Sequence, residues 1–335
     1  MTKKDSERRS ESAGLLHFGK EMVSALCMAL IAIVYVIQAF RIPTGSMEQS
    51  LLVGDFLLGL KFIYGAPVLP FNSFGTFTTF PGITDPEPGD VIIFRYPGSD
   101  KKDYIKRCVA GPGQTIEING TTVTVDGEEV VLPPHGQYQR DGNIPFEKIR
   151  HFLPLKIPSE GDTLRVNGLP VREFHFLKNL IHQENPTKNI RAEYQVYVDG
   201  EYANSLRFDN VDDWASIAQR LDYVKHQMAR KAPDKNTAIR KLLFMNEERI
   251  KEYIVKNDNY FMLGDNRDNS TDSRFWGYLN RRFVKAKAFI LYFSLNKEVP
   301  LFLLPLKIRW NRIGKLIKSW DGRDVQSEHI MEPSH

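Results

Sequence analysis

RIPTGSMEQSLLVGDF, Arg41 to Phe56, begins directly after an apolar run ends at Phe40, and its reading decides the fold. Ser46 sits between Gly45 and Met47, only six residues beyond Phe40. If the apolar run spans a membrane, this stretch holds a serine at the bilayer surface. Gly45 beside it permits a sharp backbone turn or the close approach of a ligand. Alone, Thr44-Gly45-Ser46 reads as a loop. The flanking sequence decides whether the serine is more than that.

On the N-terminal side, Met22 to Phe40 is 19 residues without a charge, interrupted only by Ser24 and Gln38. As a helix it matches the hydrocarbon core of about 30 Å, which takes about 20 apolar residues. A cleavable leader has a shorter apolar region of about 7–15 residues ending in a small-x-small site. Ile37-Gln38-Ala39 places a bulky residue where a small one is needed. The run at 22–40 is therefore expected to be a retained anchor. Lys3, Lys4, Arg8, Arg9 and Lys20 precede it, whereas only Arg41 and Lys61 follow closely. The positive-inside rule then keeps residues 1–21 in the cytoplasm and sends the chain from Arg41 onward across the membrane. Pro300 to Leu306 is apolar but too short to span, and Pro305 breaks it.

The 335 residues suffice for one large domain or two modest ones. Charged residues at 26% and hydrophobic residues at 42% describe a globular chain rather than a disordered one. A net charge of +4 without a dense basic and aromatic patch gives no case for nucleic acid. Cys27 lies in the apolar run and Cys108 far from it, which excludes a disulfide framework and a cysteine-based zinc site. None of the eight histidines shows metal-ligand spacing.

Asp55 to Tyr64 reads as a strand and Val91 to Phe94 as a buried one. Between them, a loop carries Phe71, Phe74, Phe77 and Phe80, which suit either the core or the membrane interface. Asx-Gly pairs predict hairpins within Thr121–Val131, Leu164–Phe174 and Tyr194–Tyr202, because both central turn positions need positive φ. Trp214, Ile217, Leu221, Val224 and Met228 form a helical stripe, with Asn210 as N-cap and Ala232-Pro233 as terminator. A second helix is expected over Thr237–Ile254. Strands return at Asn259–Leu263 and Ala288–Phe293. The basic amphipathic segment Lys307–Trp320 suits either a lipid surface or a packed terminal element, and a polar tail follows Asp321.

Two further stretches bear on Ser46. DYIKRCVAGPGQTI, Asp103 to Ile116, places Lys106 after apolar Tyr104 and Ile105. GDNRDNSTDSRFWG, Gly264 to Gly277, is a polar cluster directly after a buried-looking strand, rich in groups that can fix an irregular loop.

With these in hand, the chain resembles the bacterial type I signal peptidases, membrane-bound serine proteases that remove signal peptides from exported proteins. Arg41–Phe56, Gly89–Gly113 and Gly264–Gly277 look like that family's boxes, in order, after one anchor. Roughly Pro133 to Lys256 has no such match. The resemblance implies a mainly β, antiparallel, barrel-like catalytic core behind one transmembrane helix, with no metal or organic cofactor. The partly helical insertion around Asn210–Ile254 is not carried from the family and reads as a decoration of a second subdomain. The expected divisions are 41–132 and 257–320 for the catalytic part, 133–256 for the inserted subdomain and 321–335 for the tail. It implies Ser46 as nucleophile, Lys106 as general base, and Thr44 with the Ser46 N–H as the oxyanion hole. Ser270 would orient the lysine amine, and Asp272 and Arg274 would support that wall. Ile42, Pro43, Met47, Leu51, Tyr104 and Ile105 would line the P1 and P3 pockets. The implied partners are signal peptides of preproteins and membrane lipid.

The chemistry is self-consistent. Serine needs a base beside it, and no histidine lies in the three boxes. A lysine can serve once burial lowers its pKa, ordinarily about 10.4, by several units. After Ser-Met the family commonly has a Pro-Thr pair before the leucine, where this chain has Glu48-Gln49-Ser50. Two alternatives remain open at this point. One is a peptidase of the same chemistry dedicated to a single pilus or conjugation substrate. The other is a non-catalytic anchored binding protein, which would be expected to lack Ser46 or Lys106. A self-cleaving repressor would carry a DNA-binding helix-turn-helix where this chain has its anchor.

Overall fold

The computed structural model describes residues 3–65, 80–98, 102–138, 150–208 and 213–322. Helix α1 (Lys3–Ile31) runs into a π turn (Ala32–Val36), and strand β1 (Ile37–Arg41) follows with no linker. His17–Val36 is the one stretch among the described residues that is helical, long and apolar enough to cross a membrane. The expected helix at 22–40 therefore ends early. Ile37 to Phe40 instead pair with strand β2 (Asp55–Leu60), Ile37 opposite Leu60 and Phe40 opposite Leu57. Tertiary pairing outweighs the helical continuation of an apolar run.

The next strands are β3 (Val91–Arg95), β4 (Asp103–Ala110), β5 (Thr115–Asn119), β6 (Thr122–Val125), β7 (Glu128–Glu129), β8 (His151–Lys156) and β9 (Thr163–Arg165). Helix α2 (Val171–Glu184) precedes β10 (Ile190–Val198) and β11 (Glu201–Leu206), and helix α3 (Trp214–Lys231) comes next. The chain closes with β12 (Thr237–Met245), β13 (Glu248–Ile250), β14 (Glu252–Ile254), β15 (Asn259–Leu263), β16 (Leu279–Asn280) and β17 (Val284–Ser294). Seven strands form the main antiparallel sheet, in the order β1-β2-β17-β3-β4-β15-β16. Gly59 in β2 lets this sheet curl tightly. A Cβ there would fall 2.7 Å from Ile93 and 3.0 Å from both Ala286 and Phe40.

A second sheet, β7-β6-β5-β8, joins residues on both sides of position 132. A third, β11-β10-β12-β13, carries the helices. Its core is continuous with the back of the main sheet, where Ala110, Phe261 and Leu263 pack with Phe174, Leu180 and Ile217. Asp126-Gly127 and Asp199-Gly200 turn hairpins as expected, with φ of 55°, 85°, 49° and 86°. Asn167-Gly168 does not. Pro170 follows it and starts α2 instead of a return strand.

The helix expected over Thr237–Ile254 is also absent, replaced by β12, β13 and β14. Asn246 (φ 50°) and Glu247 (φ 68°) make a left-handed two-residue turn there without a glycine. Helix α3 forms where its stripe placed it. Asp213 caps it, accepting from Ala215 and Ser216 N–H at 2.9 and 3.0 Å, while Asn210 lies outside the described residues. Phe71, Phe74 and Phe77 also lie outside them, and the half-exposed Phe80 meets Tyr35 edge-on.

The terminal segment uses both of its faces. It bridges β17 through Leu316 and Ile308, and buries Arg312 against Asp55 at 2.6 Å. Leu306, Trp310 and Leu316 stay exposed.

Candidate active site

Ser46 lies in a single 3-10 turn, Gly45–Met47, entered through extended Thr44. Met47 is fully buried below it and anchors the turn in the core with Ile42, Leu51, Leu57 and Val91. Lys106 comes from the middle of β4. Its Nζ lies 2.6 Å from Ser46 Oγ and donates to the Ile105 carbonyl at 3.0 Å. The third contributor is the loop after β15, in which Asn266 N–H donates to the Ser46 carbonyl at 3.2 Å and its side-chain amide to the Gly45 carbonyl at 3.0 Å.

Gly264 makes this convergence sterically feasible. A Cβ at that position would stand 2.2 Å from Ser270 Oγ and 2.5 Å from the Ser46 carbonyl oxygen. No other residue fits between the two walls.

Lys106 is only 3% exposed. Burial lowers its pKa to about 8; Asp272 and Asp265 pull it back up in part, and Arg274 opposes them. Both carboxylates are engaged elsewhere. Asp272 accepts from Arg274 Nε at 2.8 Å and from Gly264 N–H at 3.1 Å. Burial would raise its pKa, but Arg274 reverses that and holds it low. Asp265 takes two bonds from Arg107, at 2.9 and 2.8 Å. Lys106 is thus left with a hydroxyl and a carbonyl, neither of which fixes a proton on it.

An open cleft of about 380 Å³ runs between the Phe40–Ser46 segment and the start of β4. It is lined by Ile42, Pro43, Thr44, Ser46, Tyr104, Ile105 and Lys106 among the residues singled out from sequence. Met47 and Leu51 do not reach it and lie in the core beneath. Ser270, Asp272 and Arg274 stand behind the wall, all buried. Ser270 Oγ makes no hydrogen bond of ordinary geometry, though it lies close enough to Asp272 to help keep that carboxylate charged.

Sequence reasoning passed over Asn269 and Thr271, which do line the cleft. Extended backbone at Ser270 (φ −135°, ψ 123°) turns its two neighbours to the opposite side. That alternation was the signal available for finding them. Phe40, Arg41, Lys102 and Asp103 were missed too, and they extend the cleft along both strands.

One edge of the cleft is the first half of β4. β15 pairs with β4 from Arg107 to Ala110, while β3 pairs with it from Asp103 to Arg107, and Asp103–Lys106 line the cleft. Opposite it, Ser46 N–H donates to no acceptor among the described residues, and Thr44 sits beside it at the cleft wall.

Comparison with known proteins gives the same direction. The family model described as signal peptidase, peptidase S26, matches residues 15–293. Signal peptidase I of Buchnera aphidicola subsp. Acyrthosiphon pisum is 28% identical over 315 residues, covering 92% of this chain and 85% of that protein. The signal peptidase I of Aquifex aeolicus is 28% identical over 281 residues, covering 82% and 84% respectively. That of Pseudomonas aeruginosa is 27% identical over 300 residues, covering 86% and 76%. With most of its length matched by the family model, the chain belongs to the signal peptidase family, S26, as a type I serine endopeptidase that removes signal peptides.

Proposed function

We propose that Ser46 and Lys106 form the catalytic dyad and cleave exported preproteins after small-x-small sequences. The 2.6 Å contact between Lys106 Nζ and Ser46 Oγ carries this reading. An extended signal-peptide segment lies in the cleft between Asp103–Lys106 and Arg41–Ser46. Alternate side chains then point at Ile42 and Pro43 or at Tyr104 and Ile105, which leave room for small groups.

Neutral Lys106 takes the Ser46 hydroxyl proton as Oγ attacks the scissile carbonyl. The resulting oxyanion accepts from the Ser46 N–H and the Thr44 hydroxyl. The Lys106 ammonium then protonates the departing amine, which leaves an acyl-serine. A water that gives a proton to the Lys106 amine then attacks this ester, and Lys106 returns that proton to Ser46 Oγ as the carboxylic acid leaves. Ser270, held beside Asp272, steers the amine, and Asp272 with Arg274 keeps that wall in place.

The helix ending at Val36 anchors the enzyme as a single span, with the N-terminus cytoplasmic and the catalytic sheets on the far side. The exposed apolar residues Leu306 and Trp310 provide a further contact with lipid.

Membranes containing Ser46→Ala or Lys106→Ala, given a labelled preprotein, are expected to lose about 10³-fold or more in cleavage rate. Wild-type rate from either variant ends the dyad assignment. In the wild type, kcat/KM should climb with pH through the region of about 8, as Lys106 gives up its proton.

A further inference from the structure

The last carbonyls of a helix have no partners within it. Where the helix leaves a bilayer they need donors from elsewhere. Here the π turn Ala32–Val36 ends the apolar helix, and one side chain serves its carbonyls. Lys61 Nζ donates to the Val34 carbonyl at 3.0 Å and to the Ile33 carbonyl at 3.3 Å. The Lys61 backbone N–H donates to the Val36 carbonyl at 2.9 Å. Tyr35, on the same turn, meets Phe80 with ring centroids 6.0 Å apart. β1 starts at the next residue and is paired at once, Ile37 opposite Leu60. The helix therefore enters the catalytic sheet with no flexible segment between them.

The other surroundings of Lys61 are cationic rather than acidic. Its pKa is lowered, first by burial and then by Lys285. Lys285 is itself held by Asp103 at 2.6 Å, and Asp103 lines the substrate cleft. Lys61 is thus kept half-buried without a carboxylate partner among the described residues, near Lys285, whose own partner Asp103 lines the cleft. A lysine serving only solubility would extend its amine into water.

We propose that Lys61 is a positioning residue that fixes the membrane helix to the catalytic sheet, so that the enzyme selects a preprotein partly by where the bilayer holds its scissile bond. The proposal rests on the anchoring reading given above. The first three residues of β1, Ile37–Ala39, at about 3.3 Å each, set a rigid spacer of about 10 Å along the strand between the helix and the cleft. The recognised feature of the substrate is then the length of its own apolar segment, in addition to small side chains at the cleavage site.

The test uses the full chain in vesicles of phosphatidylethanolamine and phosphatidylglycerol, comparing wild type with Lys61→Met and Lys61→Arg. Two substrates are measured: a short soluble peptide with a small-x-small site, and preproteins whose apolar segments are lengthened stepwise with leucines. Lys61→Met should keep kcat/KM on the peptide within about twofold and lose about tenfold on the best preprotein, as a small misplacement of reacting groups does. Its dependence on apolar length should flatten, while Lys61→Arg, which retains donors, stays near wild type. Equal loss on both substrates, or no loss and an unchanged length preference, overturns the proposal. Extraction of the wild type with alkaline carbonate keeps the two readings apart. A wild type released from the membrane refutes anchoring and the proposal with it; a retained wild type leaves the vesicle assay to judge Lys61 alone.

Discussion

Lys106 and Arg107 are consecutive cations on β4, 3% and 6% exposed, and the structure uses them in opposite ways. Strand alternation sends them to different sides. Arg107 meets Asp265 in a two-bond pair and also donates to the Gly89 carbonyl at 2.7 Å. Burial alone would raise the Asp265 pKa, but Arg107 holds it below the usual carboxylate range. Lys106 is given no carboxylate contact, and burial brings it down to about 8. The lesson is that burial by itself does not make a base. A buried cation with an anion is a strut, and one without is a proton acceptor in waiting.

Replacing Lys106 with Met should break the comparison at its functional end. Cleavage of a labelled preprotein should fall by at least about 10³-fold. The same variant should be more resistant to urea at neutral pH, by about 2 kcal/mol, because a poorly solvated charge is gone. The sign follows from proton counts. Between about 8 and 10.5 the unfolded lysine holds a proton that the folded one has lost, so wild-type stability rises with pH across that window. The advantage of Lys106→Met should therefore be full below about 8 and shrink toward 10.5. An inactive but less stable variant would show that Lys106 is packed for structure.

Asp265→Ala tests the structural end. It leaves Arg107 buried and unpaired, which should cost about 3–5 kcal/mol in urea unfolding of the detergent-solubilised chain. A loss under 1 kcal/mol, the scale of an exposed pair, would place Arg107 in water.

The smallest effect concerns the Asp272–Arg274 pair that flanks Lys106. Trp214, the first residue of α3, donates from Nε1 to the Arg274 carbonyl at 2.8 Å, so α3 braces the cleft wall from behind. Trp214→Phe retains the ring and removes the bond, and should lower kcat by about threefold with KM unchanged. A change in KM alone would instead place Trp214's influence on substrate binding.

The contrast also shows what the sequence made legible. Chemistry-bearing stretches were readable because their residue types are unusual where they stand: Lys106 in an apolar strand, and a run of polar groups after Leu263. The Asp-Gly hairpins were readable because glycine announces left-handed backbone. Asn246-Glu247 has the same geometry without glycine, so the strands on either side, TAIRKLLFM and ERI, looked like a helix rich in charge. Helix α2 was hidden for the converse reason, since Asn167-Gly168 announced a hairpin that Pro170 redirects. Ile37–Phe40 was taken as membrane because composition alone cannot tell a buried helix end from a strand that finds a partner. In the site, Asn269 and Thr271 were overlooked because attention went to Ser270, which faces away from the cleft they line.

The close approach at Gly264 has a consequence for the order of events in the life of the chain. Ser46, Lys106 and the loop that grips the Ser46 carbonyl lie on three segments far apart in sequence. The three meet only when β15 has docked on β4 and Gly264 has closed against Ser46. If the dyad proposed above is the active one, proteolytic competence waits for those later strands, a zymogen-like safeguard written in topology rather than in a removable propeptide.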